Sequence, residues 1–244
     1  MPGRTYIGTS GWHYTAWRDD FYHGLPQHQW LNFYYRHFNS VEINASFYRL
    51  QTRETYRHWH DATPVNFHFS LKGNRFLTHY KKLVDPLPSI RLERDRAQEL
   101  GKKLGVVLWQ LPASLSKNLT HLDQFVKALT AWPEVRHAIE FRHYSWFDEE
   151  VATCLHTYRI AVCQSDSADW PMWHTVTADM VYVRLHGNKT TYVSSYDTRE
   201  LLCWAQRVNG WLEEEKDVYV YFDNDAQGAA PLNARTLTTI MLPA

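Results

Sequence analysis

Three carboxylates (Glu42, Glu140, Asp166) and three cations (Lys72, Arg142, Arg184) stand at the ends of short apolar runs in this 244-residue chain, and His186 follows the last cation by two. The runs are Ile7-Gly-Thr-Ser10, Val41-Glu42-Ile-Asn44, Ala138-Ile-Glu140-Phe-Arg142, Val181-Tyr-Val-Arg184-Leu-His186 and Val218-Tyr-Val-Tyr-Phe-Asp-Asn224. Burying that many charges costs several kcal/mol each unless they are paired, and stability alone is better served by apolar residues. Their concentration therefore points to a site. Glu42, Glu140 and Asp166 could exchange protons, and the unperturbed pKa of an imidazole such as His186, about 6.5, suits the same work near neutrality. Arg142 and Arg184 could offer forked charge-assisted hydrogen bonds to an anion, with Lys72 beside them.

Strands buried on both faces stay apolar until they reach a solvent-facing rim, which is how these runs behave. Eight such strands are predicted, at about 4–9, 39–43, 65–71, 104–110, 136–141, 159–164, 180–186 and 217–223. Amphipathic segments separate most of them. Residues 27–38 and 118–131 have helical spacing, and Asn118, Ser89, Asp148 and Thr198 are expected to cap helices. Alternating strands and helices imply parallel pairing with right-handed crossovers, and eight units in this length fit a single α/β domain, a (β/α)8 TIM-like barrel over residues 1–244. An open doubly wound sheet is the rival, but no Gly-x-Gly-x-x-Gly turn follows the first strand. The sixth unit is irregular, because 166–179 contains Trp170-Pro-Met-Trp173 and is short for a helix.

Side chains two apart share a strand face. One face then carries Gly8 and Ser10, Glu42 and Asn44, Ser70 and Lys72, Leu108 and Gln110, Glu140 and Arg142, Gln164 and Asp166, Arg184 and His186, and Phe222 and Asn224. Barrels place their sites at this carboxyl end. After the seventh and eighth strands, Gly187 and Gly228 would let backbone approach a phosphate. Aromatic residues crowd the same rim (Trp12, Tyr14, Trp17, Phe47, Tyr48, Trp146, Tyr192, Tyr196), where rings stack on bases or sugars.

Lysine plus arginine equals aspartate plus glutamate at 26 each, so the whole-chain charge calls for neither a nucleic-acid nor a membrane partner and any anion site is local. Three cysteines without Cys-x-x-Cys spacing, and no signal peptide, place the chain in the cytoplasm. No cofactor is predicted. A divalent metal is the weaker reading, since His13, His79 and His143 lie in loops at no ligand-like spacing. Paired carboxylates also suit glycoside hydrolysis, where they flank the bond at about 5–9.5 Å.

In order along the chain, Gly8-Thr-Ser-Gly-Trp12-His-Tyr14-Thr-Ala-Trp17, Val41-Glu42-Ile-Asn44-Ala-Ser-Phe47-Tyr48, Phe69-Ser-Leu-Lys72 with Thr78-His79, and Leu108-Trp-Gln110-Leu-Pro112 resemble the motifs of the DUF72, or YecE-like, family. Glu140-Phe-Arg142-His143-Tyr-Ser145-Trp146, Val183-Arg184-Leu-His186-Gly187 and Tyr221-Phe222-Asp-Asn224 with Gly228 and Asn233 continue the resemblance nearly end to end. It implies a TIM-like barrel and no known reaction. Likeness to endonuclease IV-like and xylose isomerase-like barrels suggests nucleic-acid or sugar chemistry by fold analogy alone. The departures from the family pattern are Ser46 where threonine is commoner, Asp223 where asparagine is commoner, and Asn188 after the histidine-glycine pair, which would weaken an anion site if a cation usually stands there.

The leading expectation is an enzyme (a hydrolase, isomerase or lyase) acting on a nucleotide, nucleic acid or sugar phosphate, with Glu42, Glu140, His186 and Asp166 moving protons. Ser10, Trp12, Tyr14, Asn44, Tyr48, Lys72, His79, Gln110, Arg142, Trp146, Arg184, Gly187, Asn224 and Gly228 would contact ligand. The alternatives are a non-catalytic nucleic-acid-binding module and a carbohydrate-active hydrolase or isomerase.

Overall fold

The structure, a computed structural model, describes residues 2–242. Among them, eight parallel strands form one sheet in the order β1-β8-β7-β6-β5-β4-β3-β2. They are β1 Thr5–Thr9, β2 Ser40–Ile43, β3 His68–Lys72, β4 Leu104–Gln110, β5 Arg136–Glu140, β6 Ala161–Asp166, β7 Met180–Leu185 and β8 Asp217–Phe222. The barrel closes between β1 and β2 with a single backbone bridge, Ser10 to Glu42. Side chains replace the rest of that ladder. Asn39 accepts from the Ile7 amide (3.0 Å) and donates to the Thr5 carbonyl (2.8 Å), and the Tyr34 hydroxyl accepts from the Thr9 amide (2.8 Å). The strands approach so closely there that a Cβ on Gly8 would sit 2.0 Å from the Ser40 carbonyl oxygen.

Helices α1 Trp30–Tyr34, α2 Ala45–Tyr48, α3 Arg53–Asp61, α4 Leu87–Ala97, α5 Leu119–Leu129, α6 Glu149–Thr157, α7 Thr198–Glu213 and α8 Ala229–Met241 join the strands. The outer face of the sheet (Val41, Ile43, Leu71, Val107, Ile139, Val183, Leu185, Val220) packs in one apolar layer with Phe125, Val208, Ala234 and Leu237 of the helices. A second, smaller cluster fills the barrel with Tyr6, Leu108, Cys163, Met180, Tyr182, Tyr219 and Tyr221.

Asn118 and Asp148 cap α5 and α6 as expected, accepting from the amides of His121 and Glu150. Two expected caps are displaced. α4 begins at Leu87, behind Pro86 and with Pro88 in its first turn, before Ser89 is reached. α7 is capped by Asp197 rather than Thr198, because Asp197 and Glu200 have capping-box spacing and satisfy each other's amides at 2.9 and 2.8 Å. The expected amphipathic segment 27–38 divides into a tight turn, Gln27–Gln29, and the short α1, which sends the Tyr34 hydroxyl into the β1–β2 seam. Residues 167–179 contain no helix; Thr177 instead bonds the Val162 amide at 3.1 Å and the Ile160 carbonyl at 2.6 Å, edge to edge with β6.

Two strands face opposite to expectation. In β6, Cys163 lies in the inner cluster and Gln164 turns outward to the Thr175 carbonyl (2.8 Å) and Arg207 (3.0 Å). In β8, Tyr219 and Tyr221 point inward while Val218, Val220 and Phe222 join the outer layer. A one-residue slip exchanges every side chain between faces, so Asp166 and Asn224 leave the barrel interior and Ser165 and Asp223 enter it.

Candidate active site

The site is built on Arg184, whose guanidinium lies fully buried at the end of β7. Arginine presents five donors in a fixed fork, and here they are shared among strands on opposite sides of the barrel. Nη2 donates to Glu42 Oε1 (2.8 Å), Asp223 Oδ2 (2.9 Å) and Ser10 Oγ (3.1 Å), Nε to Glu42 Oε2 (3.1 Å), and Nη1 to Glu140 Oε2 (2.8 Å). The Tyr182 and Ser10 hydroxyls complete Glu42 at 2.7 and 2.5 Å. His186 sits with Nδ1 2.8 Å from Asp223 Oδ2 and Nε2 3.5 Å from Glu140 Oε1. Its Nε2 also lies 3.2 Å from Arg184 Nη1.

Burial pushes the Glu140 and Asp223 carboxyls up, but Arg184 and His186 acting on both, with Arg142 on Glu140 and Lys72 on Asp223, more than reverse it and hold both below the ordinary carboxylate range. The side chains of Glu42, Glu140, Arg184 and His186 are 0% exposed. Three of the residues expected to move protons, Glu42, Glu140 and His186, are therefore sealed beneath the mouth, and Glu140 is a fixed anion at neutral pH. Two carboxylates that share one guanidinium cannot flank a glycosidic bond in this arrangement, so the geometry lends the glycosidase reading nothing.

Above this floor, the open groups differ. Arg142 packs its guanidinium 3.8 Å over the Trp170 ring, donates from Nε to Glu140 Oε1 (2.6 Å) and from Nη1 to the Tyr192 hydroxyl (3.1 Å), and keeps Nη2 unbonded among the described residues. Lys72 is 5% exposed. Its ammonium lies 4.1 Å over the Phe47 ring, with no hydrogen bond or ion pair among the described residues. Burial and then Arg184 lower it to about 8, against the pull of Asp223, Glu42 and Glu140. His79 lies against the same Phe47 ring, and burial, Lys72 and Arg142 lower it to about 4, which leaves the imidazole neutral. Asp225, beyond β8, is pushed up to about 6 by burial and the Asp223 carboxylate. The Tyr14 hydroxyl beside it donates to the Ser10 carbonyl at 2.6 Å. A recess of about 210 Å³ opens here, lined by Gly11, Trp12, His13, Tyr14, Asn44, Ala45, Tyr48 and Trp59. Asn44 Oδ1 is buried without a partner.

The structure thus gathers Ser10, Glu42, Lys72, Glu140, Arg142, Arg184 and His186 into one constellation, with Tyr14, Asn44, Tyr48 and His79 at its edge. Gln110 is buried beside Glu140 on the next strand and donates to the Leu111 carbonyl (2.9 Å). Other candidates fall elsewhere. Asp166 bonds the Tyr196 hydroxyl (3.1 Å), and burial raises its carboxyl. Asn224 donates to the Ser194 carbonyl and Asn233 Oδ1, both at 2.9 Å, which ties the loop after β7 to α8. Trp146 is wholly buried in the outer apolar layer and offers no free ring face at the rim, whereas Trp12, largely buried in the same layer, keeps an edge in the recess. The Gly187 amide is spent on the Tyr196 hydroxyl (3.0 Å) and the Gly228 amide on the Asp225 carbonyl (3.2 Å). With Asp223 and Asp225 close by, the loops after β7 and β8 repel an anion rather than cradle one. His13 packs edge-on to Trp30 and His143 bonds Ser145, so the loop imidazoles do not converge.

Asp223, Asp225, Ser165 and Trp170 stand at the site although none is among the residues expected to move protons or contact ligand. The first had a readable signal: Tyr219, Tyr221 and Asp223 alternate with Val218, Val220 and Phe222, so the residues with polar tips share one face.

A family model described as "Protein of unknown function DUF72" matches residues 6–243. UPF0759 protein YunF of Bacillus subtilis (strain 168) is 25% identical over 268 residues, covering 97% of this chain and 94% of its own length. UPF0759 protein YecE of Escherichia coli (strain K12) is 29% identical over 143 residues, 58% of this chain and 50% of its own. The crystal structure of a DUF72 family protein from Thermotoga maritima superposes with a TM-score of 0.87 at 26% identity, covering 98% of this chain and 99% of that one. A second, from Enterococcus faecalis, gives 0.84 at 20% identity over 98% and 96%, a likeness of fold.

Proposed function

The chain belongs to the DUF72 family, and from that premise we propose that it is an enzyme acting by general acid–base chemistry on a small phosphorylated ligand at the carboxyl end of its barrel. The observation that carries the reading is Arg142. Its guanidinium is clamped by Glu140, Trp170 and Tyr192 yet keeps one nitrogen unbonded at the mouth. A cation already oriented in this way binds an oxyanion with little further ordering cost. Around Arg184 stand groups that titrate near neutrality, Asp225 at about 6 and Lys72 at about 8, where a proton-transfer residue is most effective. Glu42, Glu140, Asp223 and His186 serve as positioning residues that fix Arg184 and Arg142.

A small ligand fits better than a polymeric nucleic acid. The chain carries 26 cationic and 26 anionic side chains, and two carboxylates, Asp223 and Asp225, adjoin the cations at the mouth. The test is calorimetric titration with inorganic phosphate and with glycerol phosphate. Wild type is expected to bind the ester. Arg142→Gln loses a charged hydrogen bond worth about 1.5–3 kcal/mol, roughly 10- to 100-fold in affinity. Equal binding by both proteins, or none by wild type, contradicts the assignment.

A further inference from the structure

We propose that Lys72 is a nucleophilic amine that forms a Schiff base with the carbonyl carbon of a phosphorylated aldehyde or ketone. The inference deepens the reading of the same site and rests on it: Arg142 holds the phosphate and Lys72 attacks the carbonyl.

The geometry argues for it in three ways. The buried carboxylates, which would otherwise pair with a lysine, are turned to other cations: Glu42 and Asp223 to Arg184, and Glu140 to Arg184 and Arg142. Lys72 is left in their midst with only the Phe47 ring beneath its ammonium, at 4.1 Å. An amine in apolar contact and beside a fixed cation is the arrangement that activates lysine for covalent catalysis. Second, Ile43 pairs with Leu71, so Asn44 and Lys72 follow side by side at the ends of β2 and β3. Asn44, the neighbour of Lys72 across the two strand ends, lines the recess together with Tyr14 and Tyr48. Third, the unpartnered Asn44 Oδ1 gives a hydroxyl adjacent to the substrate carbonyl an acceptor.

The step balances as follows. The neutral Lys72 Nζ adds to the carbonyl carbon, and the oxygen takes up a proton to give a carbinolamine. That hydroxyl leaves as water on receiving a second proton, the C–O bond breaks and a C=N bond forms. Two N–H protons are present at the start and one remains on the iminium, so amine plus carbonyl plus one proton gives iminium plus water. No oxidant or reductant takes part.

The charged and titratable groups around Lys72 are Arg184 of β7, Glu42 of β2, Glu140 of β5, Asp223 after β8 and His79 of the turn Phe76–Tyr80. Together with burial they leave a fraction of the amine unprotonated near neutrality, since it titrates at about 8.

The experiment is trapping. Full-length protein is incubated with glyceraldehyde 3-phosphate and sodium borohydride, and adducts are mapped by peptide mass spectrometry. Lys72 is expected to carry the reduced adduct at least 10-fold faster than any other lysine, with a rate that rises through about pH 8, and unphosphorylated glyceraldehyde is expected to react more slowly. Lys72→Arg, which keeps the charge, is expected to lose the adduct while retaining phosphate binding. An adduct spread evenly over surface lysines, or undiminished in Lys72→Arg, overturns the proposal. If phosphate esters bind at Arg142 and Lys72 stays unlabelled, the Schiff base is wrong and the anion site stands. If neither occurs, both fail.

Discussion

At the scale of single residues, Arg184 is the organising group. Its five donors neutralise carboxylates from β2 and β5 and from the end of β8, none of which sees water well enough to be solvated otherwise. Removing one member of such a buried cluster is far more damaging than removing the whole, because the remaining charges lose their partner. Arg184→Met is expected to cost about 3–5 kcal/mol in urea unfolding; a loss under about 1 kcal/mol would mean that the carboxylates reprotonate or find water. Much of this constellation was legible in the chain, since Glu42, Lys72, Glu140, Arg142, Arg184 and His186 were all read onto one face. What could not be read was who pairs with whom. Hydrogen-bond partners across a barrel lie far apart in sequence, Ser10 and Arg184 by 174 residues, and no local pattern encodes that contact.

At the scale of elements, two features of the helices carry testable consequences. The Asp197–Glu200 capping box starts α7, and Asp197→Ala is expected to destabilise the protein by about 1 kcal/mol in thermal or urea melts. In α4, Glu93 is buried with the Asn74 amide as its one hydrogen-bond partner among the described residues (3.1 and 3.2 Å), and burial raises its carboxyl from 4.5 to about 8. A raised carboxyl means that the folded state holds a proton the unfolded chain has released. Stability due to this group is thus present below pH 4.5 and declines as pH rises toward 8. Relative to wild type, Glu93→Gln is expected to gain stability steadily over that interval and to level off above it; parallel stability–pH curves would contradict the assignment. The elements also show why sequence reading stopped where it did. All eight strands were placed to within about three residues, because burial on both faces writes itself as an uninterrupted apolar run. The same property hid the facing of β6 and β8. When both faces are apolar, alternation is weak, and only the inward tyrosines of β8 marked its side.

At the scale of the whole molecule, the barrel separates a sealed charged floor from a small open mouth. The floor confers acid sensitivity of a definite sign. Asp223 and Glu140 are held below their ordinary values of 3.8 and 4.5, so the stability they contribute is present above those values and is lost as pH falls through the lower values of the folded state. The stability difference between wild type and Asp223→Asn, followed by tryptophan fluorescence, is expected to shrink as pH falls below about 3.8, separately from the change near pH 6 that follows from releasing Asp225 from the Asp223 charge. A difference that persists undiminished well below pH 3.8 would contradict the assignment. No described helix is long and apolar enough to cross a membrane. The recess of about 210 Å³ lined by Tyr14, Asn44 and Tyr48 has the volume of a small ligand. The most direct test of that claim is phosphorus NMR of a panel of sugar phosphates and nucleotides incubated with wild type, Arg142→Gln and Asp225→Asn. The account predicts that wild type converts at least one class of compound and that each variant, folded as judged by its melting curve, converts it at least 10-fold more slowly. A panel left unchanged by wild type, or turned over equally by all three proteins, would contradict it.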